Sequence, residues 1–311
     1  LNNQSRLGLA QSKAVRDKLE DFKKSGKFVY AYSNYYTQGE YYLNSVADQV
    51  YLNPVGEVDF KGLSSEILYM KDLQEKSGVK FEVIRHGKYK SAVEPYLSQE
   101  MSPENREQMT VLLNSVWNTI VSDIAKSRKL SVIQLNAIAN SLGARTPELA
   151  LANKLVDKVA YEDEYHDAIR TKLKLAKDEK YNFVSVRDYA KTAASTVEDY
   201  SKKDIIAVIY AQGEILGGEG DVNVIGEGSI KRSLRDARED KNVKAIVLRV
   251  NSPGGSALTS ELIWREIEIT KKTKPVVVSM GNYAASGGYY IAANADRIFA
   301  EPNTITGSIG V

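Results

Sequence analysis

The sequence predicts an α/β protein made of two tandem domains, each a parallel β-sheet flanked by helices, with a helical arm attached to the first. Three observations carry this prediction. Residues 205–210, 245–250 and 275–280 are short, β-branched and almost continuously apolar, as suits strands buried on both faces. Residues 228–239 and 258–270 carry helical spacing between those runs, giving the alternation of a parallel unit with right-handed crossovers. The third observation is an internal repeat with an offset of 248 residues. At that offset Asn34 and Tyr35 match Asn282 and Tyr283, Gly39 matches Gly287, Tyr41 and Tyr42 match Tyr289 and Tyr290, Asp48 matches Asp296, and Pro54 matches Pro302. A one-residue gap shifts the offset to 247 upstream, where Ser5 falls opposite Ser252, Gly8 opposite Gly255 and Lys27 opposite Lys274.

Taken in chain order, the first copy opens at the position matching the glycine-rich turn of the second and lacks a counterpart of the strand at 205–210. It continues past Leu63 through an apolar strand at 79–84. Leu, Ala, Lys and Glu then recur at helical spacing in 64–80 and 103–185, broken by Ser-Pro at 102–103 and Thr-Pro at 146–147. This is the expected helical arm. Residues 187–204 show little apolar periodicity and read as the linker, so the expected domains are 1–200 and 201–311. The second copy stops at the position matching Leu63. The expectation is therefore a chain truncated at both ends, since a strand that belongs mid-sheet leaves its neighbours unpaired if it is missing.

A chain of 311 residues is long enough for two cores. With 42 Lys and Arg against 40 Asp and Glu, the formal charge of +2 gives no electrostatic reason to expect a nucleic-acid partner. The absence of cysteine excludes disulfides and thiolate chemistry. His86 and His166 are the only histidines and form no ligand pair, which argues against a metal, and no cofactor is expected. No apolar run is long enough to span a bilayer, and no signal-peptide pattern opens the chain.

Three segments carry candidate chemistry. Residues 249–256, Arg-Val-Asn-Ser-Pro-Gly-Gly-Ser, place Gly254 and Gly255 between a strand and a helix. Amides exposed at such a turn suit a developing oxyanion, although a tight βα turn alone explains the glycines equally well. Residues 281–289, Gly-Asn-Tyr-Ala-Ala-Ser-Gly-Gly-Tyr, put Ser286 at a helix entrance, where the Gly287 amide could complete an oxyanion hole. The competing reading is a helix N-cap. Ala284 stands where a GxSxG elbow needs glycine, and no histidine is suitably placed, so a Ser-His-Asp triad is disfavoured. Lysine is the remaining candidate base, and residues 85–96 offer Lys88 and Lys90. Such a lysine must be neutral near pH 7, far below the ~10.4 of a free side chain. Spacing does not choose between the two, and each alone reads as a surface lysine.

In combination, Ser-Pro-Gly-Gly, Ala-Ala-Ser-Gly-Gly-Tyr, Thr-Gly-Ser-Ile-Gly and Tyr-Lys-Ser-Ala-Val-Glu-Pro closely resemble the long, tandem-domain form of bacterial signal peptide peptidase A, a Ser-Lys peptidase of the ClpP and crotonase-like fold. The resemblance covers essentially the whole chain. It implies Ser286 as nucleophile, Lys90 as general base, Ser308 as the residue that orients the lysine, and Gly254, Gly255 and Gly287 as the oxyanion hole. It also implies that the substrates are remnants of cleaved signal peptides and other hydrophobic peptides, and that the protein is a homotetramer. An anchor outside this chain would hold it to the bacterial cytoplasmic membrane, with the catalytic domains on the periplasmic face. At offset 248 the residue opposite Ser286 is Gln38, so the first copy has lost the nucleophile. Two rivals belong to other classes: a crotonase-like acyl-CoA enzyme, which would use carboxylates in place of Ser286 and Lys90, and a catalytically inactive membrane scaffold.

Overall fold

A computed structural model of the chain describes residues 7–197 and 203–309. The expected boundary near residue 200 lies outside the described residues. By its internal contacts the chain forms two compact units. One holds Val15–Lys61 and Ile124–Ile205, and the other holds Leu7–Ala14, Gly62–Asp123 and Ile206–Val311.

Helix α1 (Leu9–Lys24) leads into strand β1 (Tyr30–Tyr36), helix α2 (Gln38–Asn44) and strand β2 (Gln49–Val58). α2 starts at Thr37, whose hydroxyl accepts from Glu40 N while the Glu40 carboxylate accepts from Thr37 N, a capping box that satisfies two orphan donors. Then come the short helices α3 (Lys71–Ser77) and α4 (Glu94–Leu97), followed by α5 (Pro103–Arg128), α6 (Val132–Asn140) and α7 (Pro147–Ala152). Pro103 and Pro147 each open a helix, the position where a missing N–H costs nothing. Strand β3 (Lys158–Val159) and helices α8 (Glu162–Leu173) and α9 (Val186–Val197) follow. The first unit's sheet is parallel, in the order β1-β2-β3. Its core is rich in tyrosine: Tyr41 is fully buried and its phenol donates to Leu155 O at 2.7 Å. Burial drives that phenol well above its usual pKa.

The second unit holds β4 (Ile205–Gln212), β5 (Glu214–Ile215), β6 (Val224–Ile225), α10 (Glu227–Glu239), β7 (Val243–Ser252), α11 (Ala257–Lys271), β8 (Val276–Ala285), α12 (Gly287–Ala293), β9 (Arg297–Phe299) and β10 (Ile305–Gly307). The main sheet runs β10-β8-β7-β4, with β9 also on β8, and β8 is parallel to β7, β9 and β10. Ile246, Leu248 and Val250 from β7 and Val276 and Val278 from β8 are fully buried with Leu234, Ile263 and Ile267 of the covering helices.

The repeat is visible in the backbone. Tyr35 pairs with Glu57 and Tyr36 with Val58, and 248 residues later Tyr283 pairs with Ile305 and Ala284 with Thr306. At the other end of the same strands, Asp48 N donates to Val29 O while the Asp48 carboxylate accepts from Val29 N, both at 2.8 Å. Asp296 and Val276 make the same two bonds at the same length. Lys23 and Lys271 repeat as well, donating to Val46 O and Asn294 O. A third such clasp joins Asp157 to Val50, with Arg128 on the carboxylate at 2.8 Å.

Two expectations are corrected. Residues 79–84 alternate as a strand would but form none, and Val79, Phe81 and Ile84 are exposed. An alternating pattern states which face is apolar, and a strand also needs a neighbour for its amides. Residues 187–197 of the expected linker belong to helix α9. Ser185 Oγ accepts from Asp188 N at its start, and Val186, Tyr189, Ala190 and Ala193 recur at helical spacing.

Candidate active site

Ser286 sits where β8 passes into α12, with φ 50° and ψ −122°. A non-glycine residue there costs on the order of 1–3 kcal/mol and persists only where its surroundings impose it. The surroundings are identifiable. β8 bulges against β7, pairing Val250 with Met280 but Ser252 with Ala284. Asn251 Oδ1 fills that bulge, accepting from Asn282 N at 2.9 Å and Tyr283 N at 3.2 Å. Thr304 Oγ1 donates to Gly281 O from the far side. Beyond the bulge, Ser286 N donates to Gly307 O at 2.9 Å, so the strand is held until the residue that turns.

The serine is not a cap. Its side chain makes no capping hydrogen bond, and among the described residues Ser286 Oγ is bonded neither to Lys90 nor to any other group. Its counterpart Gln38 has no left-handed φ and begins a helix capped in the ordinary way by Thr37. The strained turn occurs in the copy that keeps the serine.

Around Ser286 the glycines are obligatory. Gly254 has φ +103°, and a Cβ there would lie 2.6 Å from Ser286 Cβ and 2.8 Å from Gly287 N. A Cβ on Gly255, φ +151°, would lie 2.1 Å from Ile215 O. A Cβ on Gly287 would come within 2.5 Å of Ser260 Oγ, and one on Gly288 within 2.7 Å of Ser252 O. The backbone of the turn is pinned as well: Ile215 N donates to Gly254 O and Ser256 N to Ile215 O. Gly254 N donates to Ser252 Oγ at 3.1 Å. Among the described residues, the amides of Gly255 and Gly287 donate to no group of the chain. Gly287 is the first residue of its helix, where the amide has no intrahelical partner. Ser308 follows Gly307 with φ 49°, one step past the β10 register that sets Gly307 beside Ala285.

That cluster is built from residues 251–308 together with Ile215. Lys90 belongs to the same compact unit and is carried by a different segment. It is half-buried on the irregular stretch before α4, where Arg85 donates to its carbonyl at 3.3 Å. Lys88 is exposed and pairs with Glu104 at 3.3 Å, a surface ion pair. The anchor of this stretch is Glu94, a residue to which the sequence alone assigns no role. Its side chain is buried and accepts from Asn105 Nδ2 at 2.6 Å, Ser102 N at 3.3 Å and Tyr69 OH at 3.3 Å. Burial pushes that carboxyl upward, but the hydrogen bonds from Ser102, Asn105 and Tyr69 prevail and hold it below its ordinary value. Its place in Tyr-Lys-Ser-Ala-Val-Glu-Pro was the available signal.

Residues 21–176 and 268–311 match Peptidase family S49. The chain is 41% identical over 305 residues to Protease 4 of Haemophilus influenzae, covering 94% of this chain and 49% of the relative. It is 42% identical over 303 residues to Protease 4 of Salmonella typhi, covering 94% and 48%. With the chloroplastic serine protease SPPA of Arabidopsis thaliana the identity is 34% over 308 residues, covering 98% and 45%. Among solved structures, a ClpP1 mutant from Listeria monocytogenes overlaps 32% of this chain and 50% of its own at a TM-score of 0.25. The sheets are parallel and helices run between their strands, an α/β architecture. The chain belongs to Peptidase family S49, and it spans about half the length of the curated relatives it matches. No helix among the described residues is long and apolar enough to cross a membrane.

Proposed function

We propose that this chain carries the working residues of a serine endopeptidase with a Ser-Lys dyad. Ser286 is the nucleophile and Lys90, in its neutral form, is the base that takes the hydroxyl proton. The alkoxide adds to a peptide carbonyl, and the oxyanion accepts hydrogen bonds from Gly255 N and Gly287 N, while Gly254 keeps the turn open to the substrate. Collapse of the adduct expels the amine, which receives the proton from Lys90. Water then repeats the sequence to release the acyl group. Ser308 orients the lysine. The observation that carries this reading is the left-handed turn at Ser286 with two unpaired amides beside it, strain of the kind found where a reactive group is aimed.

The proposed substrates are signal peptide remnants and other hydrophobic peptides at the membrane. This part follows from the motif resemblance alone, as does the further proposal of a homotetramer held by an anchor outside this chain on the periplasmic face of the cytoplasmic membrane.

A positioned base contributes ~10²- to 10⁴-fold and an oxyanion donor on the order of 10²- to 10³-fold. Ser286→Ala and Lys90→Ala should each nearly abolish cleavage of a hydrophobic peptide while leaving the fold intact. A serine-directed phosphonate should label Ser286 only where Lys90 is present. Cleavage by Lys90→Ala at the unaltered rate would exclude the dyad. Failure of the phosphonate to label Ser286 in the intact protein would point to a crotonase-like or scaffold role.

A further inference from the structure

Helix α1 of the first copy begins at Gly8, and a helix start needs acceptors for its first amides. Half of a capping box is present locally: Gln11, three residues on, returns its Oε1 to Gly8 N at 3.1 Å. The other half would be a side-chain oxygen on the capping residue, and glycine has none. Asn282 supplies it. Its Oδ1 accepts from Gln11 N at 3.2 Å, the bond that a serine or aspartate at position 8 would have made. The fit is tight enough to require the missing side chain, since a Cβ on Gly8 would lie 2.2 to 2.4 Å from the three atoms of the Asn282 carboxamide.

Asn282 is 9% exposed, and its own amide is the one held by Asn251 Oδ1 inside the bulge that precedes Ser286. One asparagine therefore joins the start of α1 to the strand segment that aims the serine. All these residues lie in one compact unit. We infer that Asn282 is a positioning residue for Ser286, locked from its side-chain end by a capping box split between Gly8, Gln11 and Asn282. This inference rests on the peptidase reading for its effect on rate, and on the contacts alone for the cap itself.

The test uses four variants of the full protein, phosphonate labelling of Ser286, peptide cleavage, and amide exchange at Gln11. Gly8→Ala drives a methyl into the carboxamide, and displacement of the serine by about 1 Å should lower labelling and kcat on the order of 10²-fold, with KM little changed. Asn282→Ala removes one hydrogen bond and should cost up to about tenfold, with faster exchange at Gln11. Asn282→Asp keeps the acceptor and should restore both readouts. Gly8→Ala combined with Asn282→Ala, which frees the space the methyl needs, should be no slower than Asn282→Ala alone, a non-additivity that general loss of stability does not produce. Wild-type labelling rates in both single variants would overturn the positioning role. Unchanged exchange at Gln11 in Asn282→Ala would overturn the split cap. An unlabelled Ser286 in the unaltered protein would instead overturn the peptidase reading, with the cap still judged by exchange.

Discussion

Gly254→Ala is the sharpest probe of the site, because the geometry separates two effects that such a change usually mixes. Carbon atoms in contact sit ~3.5–4.0 Å apart, whereas the new Cβ would stand 2.6 Å from Ser286 Cβ and 2.8 Å from both Ala285 O and Gly287 N. About 1 Å of movement is needed, and the atoms that must give are the serine and the backbone on either side of it. A displacement of that size is worth on the order of 10²-fold in rate. The second effect is conformational: with φ at +103°, alanine also costs about 1–2 kcal/mol of stability. Gly26→Ala isolates this second effect, because Gly26 has φ +80° and a Cβ there meets nothing within 4 Å. Both variants should lose stability in thermal unfolding, Gly254→Ala the more because of the overlap with backbone, while only Gly254→Ala should lose the rate of phosphonate labelling at Ser286. Equal labelling of Gly254→Ala and the unaltered protein, or equal loss in the two variants, would refute the reasoning.

Three further outcomes follow from the same contacts. Because the Glu94 carboxyl is held below its ordinary pKa, its stabilisation is complete above the unfolded value of ~4.3 and is lost as pH falls through the folded value. Amide exchange across 85–93 should therefore accelerate below about pH 4.3, and Glu94→Gln should flatten that dependence. Asp157→Ala leaves the Arg128 guanidinium, whose side chain is 6% exposed, without its carboxylate; allowing for the partial exposure of Asp157, the loss should be about 2–3 kcal/mol in denaturant unfolding. Gln38→Ser should not become labelled by the phosphonate, because position 38 begins an ordinary helix and lacks the turn that presents Ser286.

The strands β4, β7 and β8 were legible because each is a nearly continuous apolar run, and the helices α10 and α11 because their apolar residues recur at helical spacing among polar ones. The strand-to-helix junction at Ser286 was legible for a related reason: small residues there limit what the backbone can do. Less was legible where the sequence specifies one half of an interaction. Residues 79–84 have a strand's alternation and no strand partner among the described residues. The amphipathic spacing of α9 is diluted by charges and by threonine, which hid a helix in a presumed linker. The Gly254 amide was expected at the oxyanion and is engaged by Ser252 Oγ, a choice made by a rotamer that composition does not reveal. Glu94 and Asn282 escaped notice because each works by what it touches 8 to 271 residues away.

The three aspartate clasps all sit at the beginnings of parallel strands, whereas Ser286 and Gln38 both sit at their ends. Architecture and chemistry thus occupy opposite rims of the same sheet. A duplicated module arranged this way can discard its reactive group by local drift and still fold, since nothing that fixes strand order is spent. The first copy, with Gln38 where the second has Ser286, fits such a division of labour, and it predicts that substitution of Gln38 will leave the fold intact whereas substitution of Asp48 or Asp157 will destabilise it.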